Sequence, residues 1–176
     1  MFGERGWAMS NVISFSTSPL APFLGEWKLD PLSVSRNKVM KGRLGSEGLK
    51  KLWKCTSMDE RARCLAEDPE LANRYQFVLG LGRERILVLT PKAITFMNAQ
   101  SGTIPAKVTV LAVVKITVEG KKVVVHTIDT RPELLGRRMA YVFRMNKQWL
   151  LVSERYFGRE AHLFPRSPIH RYHRSA

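Results

Sequence analysis

Val108-Thr109-Val110-Leu111-Ala112-Val113-Val114-Lys115-Ile116-Thr117-Val118 is the stretch on which the fold turns. Val108, Val110, Ala112, Val114, Ile116 and Val118 fall on one face of a period of two, while Thr109, Lys115 and Thr117 share the other with Leu111 and Val113. That is the rhythm of a strand. Glu119-Gly120 then offers a tight connection, because glycine tolerates the positive φ of a short hairpin turn, and Lys121 to Asp129 reads as the return strand. A second hairpin pairs Met139, Tyr141, Phe143 and Met145 with Trp149 and Leu151 around Asn146-Lys147. Upstream, Ile86 to Thr90 and Ile94 to Met97 pair across Pro91-Lys92. No helical pattern interrupts Arg85 to Glu154, so sequence neighbours are expected to pair in space as an antiparallel meander. Its expected inner face is Val108, Val110, Val114, Ile116, Tyr141, Phe143, Trp149 and Leu151, side chains bulky enough to fill a small barrel by themselves.

Working outward, Phe23 to Leu29 alternates apolar and polar up to Asp30-Pro31 and predicts a first strand. Residues 32–43 are basic and turn-like and read as a loop. Ser46 can cap a helix with Leu49, Leu52 and Trp53 on one stripe, opposed by Lys50, Lys51 and Lys54. Ser57 and Glu60 have capping-box spacing for a second helix, and Asp68-Pro69 starts a third that Gly80 and Gly82 stop. A strand over Tyr75 to Leu79 competes with the end of that third helix. The helices are expected to cover an end or side of the sheet with Leu49, Leu52, Trp53, Leu65 and Leu71 inward. The expected class is α+β, mainly β, with a helical segment at about 46–80 and a meander at about 85–154.

The chain of 176 residues is long enough for one domain with a core that needs neither disulfides nor metal. Its expected organisation is a poorly ordered lead-in over 1–22, one domain over 23–157 and a basic tail over 158–176. Met9 is a second candidate initiator. Cys55 and Cys64 stand nine positions apart in a helical segment, which suits reduced thiols and a cytoplasmic protein. The first residues show neither a signal peptide nor a membrane-spanning run. The formal net charge of +14 implies attraction to phosphate or acidic surfaces.

Phe23-Leu24-Gly25-Glu26-Trp27-Lys28-Leu29, followed by helices and a meander, resembles the calycin superfamily. The motif is similar to the Gly-x-Trp first strand of fatty-acid-binding proteins and lipocalins, which plugs one barrel end; the fatty-acid-binding branch also inserts helices after that strand. The resemblance implies a small or partial up-and-down barrel of a reduced, lipocalin-like bacterial type. It makes Gly25 and Trp27 the plug, with a late-strand cation over the indole, first Arg155 and otherwise Arg144. The chain departs from those families in offering about seven strands and no Arg-x-Tyr pair near its C-terminus. A pleckstrin-homology-like domain is the rival, on Arg85 to Thr90 and Ile94-Thr95-Phe96. Pro165 and Pro168 leave little room for the closing helix that fold requires.

Few residues carry chemistry. His162, His170 and His173 fit a basic tail better than a metal site, and His126 fits a strand surface. The acids Asp59, Glu60, Glu67, Asp68 and Glu70 sit where they complement helix N-termini. Gly80-Leu81-Gly82-Arg83 lacks the Lys-Ser/Thr of a phosphate loop and reads as a turn. No serine or cysteine has a base and an orienting acid in view, so the expectation is a non-enzymatic binding protein without cofactor or metal. Two readings follow. In the first, an interaction module binds an acidic protein or polyanion through Arg36, Lys38, Lys41, Arg43, Lys50, Lys51 and Lys54, with a second basic region from Arg155 to Arg174. In the alternative, a lipocalin-like carrier holds a small apolar or fatty-acid-like ligand against Tyr141 and Phe143, with Arg137 in the same phase to meet an acid group.

Overall fold

The computed structural model describes residues 18–33, 37–81, 84–99, 107–130, 138–157 and 168–175. Eight strands run in chain order around a closed antiparallel barrel: β1 (Gly25–Leu29), β2 (Glu84–Leu89), β3 (Ala93–Ala99), β4 (Lys107–Glu119), β5 (Lys122–Asp129), β6 (Arg138–Asn146), β7 (Trp149–Tyr156) and β8 (His170–Arg174). Short 3-10 turns, Ala21–Phe23 and Pro31–Ser33, flank β1. Three helices follow the second turn: α1 (Asn37–Trp53), α2 (Met58–Ala66) and α3 (Pro69–Leu81). This is the expected α+β, mainly β, up-and-down antiparallel barrel with its helical insertion after the first strand. The C-terminal segment is a strand, β8, where a pleckstrin-homology-like fold would place a helix.

The ends of the meander depart from expectation in an instructive way. The stretch read as a basic tail contributes β8, which pairs with β7 through Leu150↔Tyr172 and with β1 through Trp27↔Arg174, and so closes the barrel. His-Arg-Tyr-His-Arg shows no apolar alternation because only Tyr172 joins the apolar core, while Arg171 meets a buried carboxylate. The helical segment also begins earlier than Ser46. The supposed loop is helical from Asn37, and α1 breaks at Gly45, whose φ of +75° is one that glycine adopts at little cost. In α2, Ser57 Oγ accepts from Glu60 N at 3.1 Å, while the Glu60 carboxylate reaches back to Thr56 N at 2.7 Å, one residue before the position a capping box would give it. Over Tyr75 to Leu79 the helix prevails, with Tyr75 and Val78 buried on its inner side.

Inside the barrel, Leu87, Leu89, Ile94, Leu111, Val123, Val125, Phe143, Leu150 and Val152 pack around Trp27, with Leu20 and Phe23 among them. Over Val108 to Val114 the long β4 strand faces the opposite way from the expectation, while Ile116 packs inward as expected. Val108, Val110, Val114 and Val118 are 56%, 39%, 55% and 57% exposed, and it is Leu111 that is buried at 5%. A bulge between Val113 and Lys115 is the cause, since one extra residue reverses the phase and lets Leu111 and Val113 before it, and Ile116 after it, all reach the core. In β7 the inner residues are Leu150 and Val152; Trp149 instead meets the helices, its Nε1 donating to Cys55 O at 2.7 Å.

Candidate functional site

The helices are fixed to the outer wall of β7, β8 and β1 by one charge cluster. Asp30 follows β1 directly and is fully buried, as is Arg61 of α2; Arg171 of β8 is nearly so. Arg61 Nη1 and Nη2 grip the two Asp30 oxygens at 2.5 and 3.0 Å, and Arg171 Nε donates to Oδ2 at 3.0 Å. Two cations on one buried carboxylate leave a surplus positive charge, and the surroundings absorb it. Arg61 also donates to Tyr75 Oη and Leu52 O, and Arg171 donates to Trp53 O. The Trp149 ring has the Arg61 and Arg171 guanidiniums within 5.1 and 4.0 Å of its centroid. Burial alone would raise the Asp30 carboxyl; the hydrogen bond and charge of Arg61, with the charge of Arg171, outweigh it and hold the carboxyl below its ordinary value. Burial likewise opposes the Arg61 charge, and Asp30 more than compensates. The cluster binds helices to barrel and leaves no reactive group exposed.

At one end of the barrel Trp27 is buried, its Nε1 donating to Phe23 O at 2.9 Å. The cation over its ring is Arg174, 3.8 Å from the centroid. It is not Arg155, which is held on the outside in a bidentate pair with Glu119 at 2.8 and 3.2 Å. Arg144 is exposed. The reason is register: Trp27 lies directly opposite Arg174, while Arg155 pairs with Ala140 across the barrel wall. Gly25, with φ of +115°, lets Arg174 lie this close, since a Cβ there would come within 2.9 Å of Nη1.

The opposite end is polar inside. Arg85 Nε donates to Asn98 Oδ1 at 3.2 Å, and Arg85 opposes the rise that burial gives the Tyr172 phenol. Tyr156 Oη donates to Glu154. Between β4, β5, β6 and β7 a pocket of about 160 Å³ is lined by Thr109, Leu111, Thr127, Asp129, Met139, Tyr141 and Tyr156. Tyr141 stands in this wall with its ring 5.3 Å from that of Phe96, and burial, with Glu154 adding, pushes its phenol far above the ordinary value. Phe143, expected beside it, is instead sealed in the core against Phe23. Arg137, the third expected ligand residue, lies outside the described residues.

Of the expected polyanion residues, Lys41, Arg43, Lys50, Lys51 and Lys54 are exposed along and just after α1. The Arg43 guanidinium stacks over Phe77 at 4.2 Å, and Lys51 is 3.8 Å from Asp68. Arg36 and the side chain of Lys38 lie outside the described residues, as do His162, Gly82 and Arg83. His170 and His173 are three positions apart on β8 and so face opposite sides, with His173 edge-on to Trp149. Sequence reasoning missed Asp30, Arg61 and Arg171 altogether; Asp30-Pro31 signalled only the end of a strand. It also missed Thr109, Thr127, Asp129 and Tyr156 as pocket residues; for Thr109 the bulge hid which face of β4 was inner.

No protein-family model and no curated protein matches the chain. Among solved structures, a mutant of the fluorescent protein UnaG is similar over 88% of this chain and 96% of its own, with 13% identity and a TM-score of 0.34. A likeness that weak carries no argument, and the barrel rests on the strand pairing described above.

Proposed function

We propose that the protein is a non-enzymatic binding barrel that takes a compact, ring-sized molecule at the end opposite Trp27. What supports this reading is the 160 Å³ pocket, in which the polar residues Thr109, Asp129, Tyr141 and Tyr156 stand beside the apolar Leu111 and Met139. A void of roughly 150 Å³ is enough for a benzene-sized guest. A fatty acid needs more, since carrier pockets span about 300–1,000 Å³, and the rest of the described interior is filled by side chains. The preferred ligand is therefore a small ring bearing one or two hydrogen-bonding groups, with Tyr141 meeting it as a neutral phenol. Titrating the labelled protein with phenol and other single-ring fragments, followed by amide chemical shifts, tests it. Shifts centred on Thr109, Thr127, Asp129 and Tyr141, lost in Met139→Trp, are expected. If no ring-sized fragment moves those amides, the reading fails.

A second reading is favoured by the run of exposed cations at Lys41, Arg43, Lys50, Lys51 and Lys54, part of a net charge of +14. In it, α1 is the contact surface for an acidic protein or polyanion. Attraction of this kind releases counterions and weakens steeply with salt. Heparin titrations at two salt concentrations decide its polyanion form: an affinity for heparin that salt does not change, or none at all, removes that form and leaves an acidic protein as the partner to test.

A further inference from the structure

Beside α1 the surface holds a recess that neither the barrel nor its buried charge cluster requires. Between α1, the Pro31–Ser33 turn and the start of β8, a groove of about 670 Å³ is lined by Leu32, Leu49, Trp53 and Ile169, with Lys41 and Lys50 against a single acid, Glu47. Trp53 and Ile169 are 42% and 62% exposed, although both are large and apolar. Trp53 was expected to face inward; instead Arg171 takes that side of it. The Arg171 guanidinium lies 3.5 Å from the Trp53 ring centroid, and its Nη1 donates to Trp53 O at 2.9 Å. Since Arg171 is itself anchored on Asp30, the exposed indole is a platform already fixed in place. A partner docking on it need not pay the ordering cost that weakens most associations.

We infer that this groove docks an acidic, amphipathic segment of a partner protein, with apolar side chains on Trp53 and Ile169 and carboxylates on Lys41 and Lys50. The inference rests on the second reading above and gives that contact its place and its anchor. Two observations select this occupant. A second copy of the chain would bring another +14 to the same surface and be repelled. A small amphipathic acid would use only part of the surface, because a neighbouring recess of about 680 Å³ shares Ser46, Glu47 and Lys50 with the groove. Together they form a track around α1 longer than a small molecule and suited to a peptide. Buried tryptophans anchor interfaces of this kind.

The test uses the full chain and a fluorescein-labelled synthetic peptide in which glutamates alternate with leucine and phenylalanine, read by anisotropy. Expected results are saturable binding, weakened about tenfold or more by Trp53→Ala and by the pair Lys41→Glu/Lys50→Glu, with polyglutamate of equal length at least about tenfold weaker. Ile169→Ser guards against a folding artefact, because Ile169 is exposed, and it should weaken binding while leaving the melting curve unchanged. If polyglutamate binds as well as the amphipathic peptide and Trp53→Ala and Ile169→Ser have no effect, the groove is overturned while heparin binding can still uphold the basic-surface reading. If the peptide binds in a Trp53-dependent way and heparin does not bind, the groove stands and the polyanion reading falls. Displacement of the peptide by dodecanoate at equal concentration, or a dimer in sedimentation that Trp53→Ala dissolves, assigns the groove to another occupant and overturns the inference.

Discussion

Arg174 lies over the Trp27 ring, and its two terminal nitrogens donate to the carbonyls of Leu24 and Pro22 at 2.5 and 2.9 Å. One side chain thus covers the indole and holds the turn before β1 against the last strand. Arg174→Met should lower unfolding free energy by about 1–2 kcal/mol, from the lost cation–π contact and the two freed carbonyls. Arg155→Met should leave the urea midpoint within error of the parent, because its exposed pair with Glu119 is screened by solvent. Equal losses from the two variants would show that Arg174 does not serve as the lid.

Gly25→Ala tests the same contact from the backbone side. An alanine there must adopt a φ of +115° and displace Nη1 of Arg174, so a loss of about 1–3 kcal/mol is expected. Because the displaced arginine is part of that loss, Gly25→Ala and Arg174→Met should be less than additive in a double-mutant cycle. Simple additivity of the two denaturation midpoints would separate the strain from the lid.

Asp30 sets the acid limit of the fold. Its folded carboxyl titrates below the unfolded value of 3.8, so the stability it contributes is complete above that pH and is lost as pH falls through the folded value. A denaturation series from pH 7 to pH 2 should show stability declining below about pH 4, with Asp30→Asn lacking this part of the decline. At neutral pH, Asp30→Asn should cost about 3–5 kcal/mol, because it leaves Arg61 and Arg171 buried without a counter-charge. A variant as stable as the parent would show that the cluster contributes nothing to the union of helices and barrel.

The bulge in β4 gives a direct test of which valines matter. Leu111→Ala should cost about 2–5 kcal/mol and Val110→Thr less than about 0.5, although the two are adjacent and similarly apolar. The reverse ranking by urea denaturation would restore the uninterrupted alternation and remove the bulge.

These residues also show what the sequence could and could not convey. The meander was legible because its hairpins are local: Glu119-Gly120 and Asn146-Lys147 sit at the turns, and Tyr141 and Phe143 are inside as their period implies. The plug was legible in kind from Gly25 and Trp27. Arg155 and Arg174 could not be told apart, because both are basic residues on late strands and only register distinguishes them. The face of β4 was misread because one extra residue in a run of valines leaves no compositional trace. Asp30 meets Arg61 across 31 positions and Arg171 across 141, separations over which no periodicity reaches. The pocket and the groove inherit these long-range pairings, which is why their residues stood out in no motif.

The pairing of β1 with β8 has a consequence for how the molecule is made. As the polypeptide emerges from the ribosome, β1 can find β2 once the helices and β2 are out, but its other edge has no partner until β8 has emerged as well. Without β8 the barrel is an open sheet, β1 to β7, with two unpaired borders, and Asp30 has at most one of its two arginines. Closure therefore waits for β8, and a chain cut shortly before Arg171 keeps a sheet that can still pair edge to edge with its neighbours.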